Sequence, residues 1–118
     1  MLREIKKISQ DPEGPRRRWF TDQQQDLVIW HEDGEITSFE LCYGKGSEER
    51  ALRWSATAGL EQYVVDDGEG RCMRHKMSPM LENDRWTDFD DVRQEFTRAA
   101  RGIDAGITAF VYRRLSFR

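Results

Sequence analysis

The sequence predicts an α+β domain: an antiparallel β-meander of about five to six strands, followed by two C-terminal helices packed on one face of the sheet. Three observations predict it. Short runs rich in β-branched and aromatic residues, separated by turn residues, fill the chain from Arg16 to Met77. An Asp33-Gly34 pair sits between two of those runs and suits a type I′ hairpin turn. Beyond Ser78-Pro79 the apolar residues recur at helical spacing instead of alternating. Strands first and helices last is the order of an α+β chain, not of repeating βαβ units.

At 118 residues, the chain is the size of one domain, residues 1–118, and can build a core without a metal or disulfide. An apolar fraction of 37% against 35% charged residues describes a small core under a heavily charged surface, to which four tryptophans add apolar area.

From the N-terminus, Asp11-Pro12-Glu13-Gly14-Pro15 forms a loop, because two fixed proline φ angles and a glycine interrupt any regular element. Arg16–Phe20 is a short strand, and Asp26–His31 a firmer one. Ile36–Tyr43 completes the hairpin through Asp33-Gly34. With those two as the turn residues, Trp30 lies opposite Thr37 and Val28 opposite Phe39. Val28, Trp30, Phe39, Leu41 and Tyr43 then face the core, and Leu27, Ile29, His31, Ile36, Ser38, Glu40 and Cys42 face away. A three-residue turn would reverse the faces of one strand.

Gly44-Lys45-Gly46-Ser47 ends the hairpin, and Ala51–Trp54 and Leu60–Val65 continue the meander around Thr57-Ala58-Gly59. Asp66-Asp67-Gly68-Glu69-Gly70 is a further turn and Arg71–Met77 a last strand, limited by Pro79. Thr87 with Asp90 gives a capping pattern for a helix carrying Phe89, Val92, Phe96 and Ala99 or Ala100 up to Gly102. Asp104 caps a second helix, with Ile103, Ile107, Val111 and Leu115 on one stripe and Phe110 and Phe117 beside it; Ile107–Tyr112 is also passable as a strand.

A net charge of −3 argues against a whole-molecule attraction to nucleic acid or anionic lipid, so nucleic acid is an unfavoured partner. No apolar stretch approaches a membrane span, and Met1–Lys7 is not an apolar leader. The expectation is a cytoplasmic protein without a membrane partner, whose two cysteines, Cys42 and Cys72, stay reduced and unlinked.

The blocks Arg16-Arg17-Arg18-Trp19-Phe20, Asp26-Leu27-Val28-Ile29-Trp30, Phe39-Glu40-Leu41-Cys42-Tyr43, Asp66-Asp67-Gly68-Glu69-Gly70-Arg71 and Arg74-His75-Lys76-Met77, taken together over most of the chain, resemble a family of small uncharacterised bacterial proteins. The resemblance implies a bacterial source and brings no activity with it.

Motif chemistry is sparse. Cys72, Met73, His75, Met77 and Met80 are soft ligand types, but on a strand Met73, His75 and Met77 face one way and Cys72 the other, and no second Cys/His pair stands at ligand spacing; no metal site and no cofactor are expected. The acidic turn 66–70 departs from the EF-hand pattern, and Gly44-Lys45-Gly46-Ser47 lacks phosphate-loop spacing. No residue is assigned a catalytic role.

The strongest binding candidate is a basic and aromatic surface built from Arg16, Arg18 and Trp19 together with Arg71, Arg74, His75 and Lys76. Guanidinium forks grip phosphate and carboxylate, and aromatic rings stack on planar ligands. Strand alternation puts Arg16 and Arg18 on one face and Arg17 on the other. The expected function is a non-enzymatic binding or regulatory domain for an anionic ligand or acidic protein segment. The alternatives are a small-substrate enzyme with His75 or His31 as acid/base, and single-stranded nucleic acid binding. The competing explanation for the arginines is a charged edge strand that discourages sheet-to-sheet association.

Overall fold

The computed structural model describes residues 1–6, 10, 12–44, 49–65, 77–79 and 89–115. Its strands are β1 (Arg3–Ile5), β2 (Arg16–Thr21), β3 (Asp26–Glu32), β4 (Glu35–Tyr43), β5 (Arg50–Ser55), β6 (Gly59–Val65) and β7 (Met77–Pro79); its helices are α1 (Phe89–Ala99) and α2 (Ala105–Leu115), joined through a 3₁₀ turn at Ala100–Gly102. The strands form one sheet in sequence order, every neighbouring pair antiparallel. This is the expected meander followed by two helices, with β1 added at one edge. The anticipated turn 66–70, most of the strand 71–77, the cap at Thr87 and the flanking Phe117 lie outside the described residues.

The β3–β4 turn matches expectation. Asp33 and Gly34 have φ of 52° and 81°, the double positive-φ conformation that a type I′ turn requires. The register beyond it does not. His31 pairs with Ile36 but Trp30 pairs with Ser38, so Thr37 is the extra residue of a β-bulge. Its hydroxyl donates to the Trp30 carbonyl at 3.4 Å, and its own carbonyl accepts the Ala56 amide at 3.0 Å. The bulge puts Ile29 opposite Phe39 and Leu27 opposite Leu41, while Val28 faces Glu40. The expected grouping of Val28 and Trp30 with Phe39, Leu41 and Tyr43 is therefore corrected: β3 presents the other half of its side chains to the core.

That core lies between one face of the sheet and the two helices. Phe20, Leu27, Ile29, Phe39, Leu41 and Leu52 from the strands meet Phe96, Ala100, Ile107, Val111 and Leu115 from the helical segment, with Leu2 closing one end. Asp104 caps α2 as its type and position predict, its carboxylate accepting the Gly106 amide at 2.8 Å. Ile107, Val111 and Leu115 then form the buried stripe. At the far end of that stripe the Trp54 and Phe110 rings meet edge-on, and the Arg114 guanidinium lies over Phe110, 4.2 Å from the ring centre. At the opposite corner the Leu2 amide donates to the Ala99 carbonyl at 2.7 Å, tying the chain start to the end of α1.

The sheet face turned away from the helices also buries side chains: Val28, Glu40, Cys42 and Ala51. Cys42 is disulfide-bonded, which corrects the expectation of free thiols. That expectation rested on redox compartment and on the placement of Cys42 and Cys72 in different strand-like segments, and neither says which sulfurs the fold brings within bonding distance. Cys72, the one other cysteine of the chain, lies outside the described residues. None of the helices among the described residues is long and apolar enough to cross a membrane.

Candidate functional site

β2 runs between β1 and β3 with Glu4 opposite Phe20, Arg18 opposite Ile29 and Arg16 opposite His31. Because paired residues share a face, Glu4, Arg16, Arg18 and His31 all stand on the side that carries the helices, beyond the edge of the apolar core. Gln10 extends this edge past the end of β1. Its side-chain amide donates to the Arg17 carbonyl at 2.8 Å and accepts the Arg17 amide at 3.0 Å, as a neighbouring strand would. Together with Lys6 and the Asp33-Gly34 turn, these residues line a recess of about 550 Å³. Among the described residues, three cationic side chains on this face, Lys6, Arg16 and Arg18, meet two carboxylates, Glu4 and Asp33, so these groups carry a net positive charge.

The arginines are not equivalent. Arg18 is committed: its Nε and Nη2 reach the two Glu4 oxygens at 2.9 and 2.8 Å, a bidentate fork. Its Nη1 lies 4.0 Å from Asp104 at the start of α2, and its guanidinium lies over the Phe20 ring. The hydrogen bonds from Arg18 lower the Glu4 pKa against the opposing effect of burial, and the Lys6 ammonium at 3.7 Å adds to the lowering. Arg16 is exposed, and no ion pair occupies it among the described residues. His31 is partly buried; desolvation first, and the nearby Arg18 charge second, lower its pKa, with Asp104 acting the other way, so the imidazole is neutral at pH 7.

Of the residues expected to bind, the structure thus brings Arg16 and Arg18 to one recess. Trp19 stands on the opposite face, paired with Val28 and Ile5, with its indole N–H buried and lacking a hydrogen-bond partner among the described residues. It offers no stacking surface beside Arg16 and Arg18. Arg71, Arg74, His75 and Lys76 lie outside the described residues. Sequence reasoning missed Glu4, Lys6 and Gln10, because nothing in residues 3–10 marks a strand; the alternation of charge at Arg3, Glu4 and Lys6 is the one available signal.

No family model, curated protein or solved structure matches this chain.

Proposed function

We propose that the chain is a non-enzymatic binding module that holds a small phosphate- or carboxylate-bearing ligand in the recess at the β1–β2 edge. One observation carries the reading: Arg16, which no ion pair engages among the described residues, presents its guanidinium inside a concave recess whose described side chains carry a net positive charge, next to a neutral imidazole. Arg16 is the primary contact, Lys6 adds charge, and Arg18 shapes the wall from its fork with Glu4. Membership in the family of small bacterial proteins suggested by the sequence blocks is part of the proposal. So is a cytoplasmic setting, on one condition: the Cys42 bridge has to resist reduction there, and its sulfur, on a residue 1% exposed, is poorly accessible to an attacking thiolate.

Calorimetric titration of the protein with inorganic phosphate and with a nucleoside monophosphate, at low and at physiological salt, tests the reading. Arg16→Ala is expected to weaken binding roughly tenfold, the loss of one charge-assisted hydrogen bond. Arg17→Ala, on the opposite face, should do much less. Affinity should fall as salt rises. Absence of binding at low salt, or equal losses for the two substitutions, would overturn it.

A second reading, a small-substrate enzyme with His31 as acid/base, is favoured by the placement of a neutral imidazole in the same recess. Turnover of simple phosphate or carboxylate esters that His31→Gln abolishes without altering the melting temperature would establish it in place of the first.

A further inference from the structure

The helical layer has a second, unrelated concavity on its solvent side. α1 and α2 turn Phe96, Ala100, Ile107, Val111 and Leu115 inward. Outward, the seam between the end of α1, the 3₁₀ turn and α2 opens into a groove of about 1060 Å³. Its floor is Ile103 with Ala105 and Ala109, short side chains that leave the surface low, and Tyr112, 46% exposed, rises along it. Exposed aromatic surface of this kind is uncommon here: among the described residues, Met1 and Tyr112 are the large hydrophobic side chains left exposed.

The charges at the groove are of one sign. Among the described residues, Arg101 and Arg113 line it and no carboxylate does. Arg18, Arg53, Arg93 and Arg98 each have an acidic partner, whereas no ion pair engages Arg101 or Arg113 among the described residues. Two unneutralised guanidiniums flanking an apolar floor, on a chain whose net charge is −3, amount to a local reversal of sign. From Ala105 to Arg113 the groove follows α2 for about 12 Å, the rise of roughly two helical turns.

We infer that this groove docks an acidic amphipathic helix of a partner protein. Apolar side chains at i, i+3 or i+4, and i+7 of such a helix would lie along Ile103, Ala109 and Tyr112, and flanking carboxylates would meet Arg101 and Arg113, the helix-in-groove mode of recognition. The floor and dimensions suit a helix, and the arginines select an acidic one and reject a basic one.

The test uses the full chain and a fluorescent model peptide of about five helical turns with leucine on one face and glutamate on the other, read by anisotropy at low and at physiological salt. The same peptide with lysine replacing glutamate is the control. The glutamate peptide is expected to bind and the lysine peptide not to. Ala109→Trp, which fills the floor, and the pair Arg101→Glu with Arg113→Glu should each weaken binding roughly tenfold or more. All three positions are exposed, so the melting temperature should stay near that of the parent; if Ala109→Trp fails to fold, the charge-reversal pair decides alone. No binding of the glutamate peptide at low salt, equal binding of both peptides, or insensitivity to the charge reversal would overturn the inference. Concentration-dependent self-association abolished by the charge-reversal pair would assign the groove to a second copy of the chain and overturn it too.

Discussion

Arg53 reaches across the sheet to Glu40, with its Nη2 2.6 Å and its Nε 3.1 Å from one oxygen of a carboxylate that has no solvent exposure. The two residues are directly opposite on β5 and β4, on the face away from the helices, and the guanidinium also lies over the Tyr63 ring. A carboxylate at that depth is tolerable while its charge is answered by a hydrogen-bonded cation.

Arg53→Ala is accordingly expected to destabilise the protein by about 3 kcal/mol, since it leaves a buried negative charge short of its principal cation. Glu40→Gln should cost less, because an amide keeps an acceptor for Arg53 and removes the buried charge. Urea unfolding of both variants checks this. A loss for Arg53→Ala smaller than that for Glu40→Gln would show that the pair is not the stabilising unit.

Deleting Thr37 removes the extra residue and leaves Trp30 opposite Ser38, Ile29 opposite Phe39 and Leu27 opposite Leu41, so the ladder becomes regular and the same face of β3 stays buried. The expected outcome is a chain that still melts cooperatively, at a cost of roughly 1 kcal/mol for the lost hydroxyl contact to Trp30. Thr37→Gly keeps the bulge, loses the same contact, and should cost a similar amount. A deletion variant without a cooperative transition would show that the β3–β4 pairing depends on the bulge itself and not on the apolar pairs beyond it.

His31 and Glu4 give stability two separate pH windows. The His31 pKa is lowered by folding from 6.5, so its contribution is complete above that value and declines as pH falls through the lower folded pKa. Glu4 is likewise lowered, from 4.5, so the Arg18 fork contributes fully above 4.5 and is lost as pH falls through the folded value. Melting temperatures from neutral to acid pH should fall in two steps. His31→Asn should flatten the upper one and Glu4→Gln the lower; a His31→Asn variant with the parent profile above pH 4.5 would remove the assignment.

The bridge at Cys42 predicts that the protein, denatured without reductant, exposes no free thiol, and that reduction releases the sulfurs of both cysteines in the chain. Cys42→Ser should lower stability by roughly 2–4 kcal/mol in non-reducing buffer and much less in reducing buffer. Two thiols titrating without reductant would show that the native chain does not form the bridge.

Much of the architecture was legible because it is local. Asp33-Gly34 demands its turn through backbone geometry that few residue pairs accept, and Asp104 followed by Ile107, Val111 and Leu115 specifies a capped helix with one apolar stripe. Alternation along β2 likewise separated Arg16 and Arg18 from Arg17 before any fold was known.

What only the tertiary structure decided follows from one ambiguity and two distant pairings. Both halves of β3 are apolar, Val28 and Trp30 as much as Leu27 and Ile29, so a period-two pattern fits either face, and a single bulged residue in the partner strand makes the choice. The strand at Arg3–Ile5 has no pattern of its own and exists through pairing with β2. That pairing delivers Glu4 to Arg18 and leaves Arg16 without an ion pair among the described residues. Sequence determined which residue types the recess could draw on; long-range register determined which of them are already neutralised, because charge pairing depends on distance in space and not along the chain.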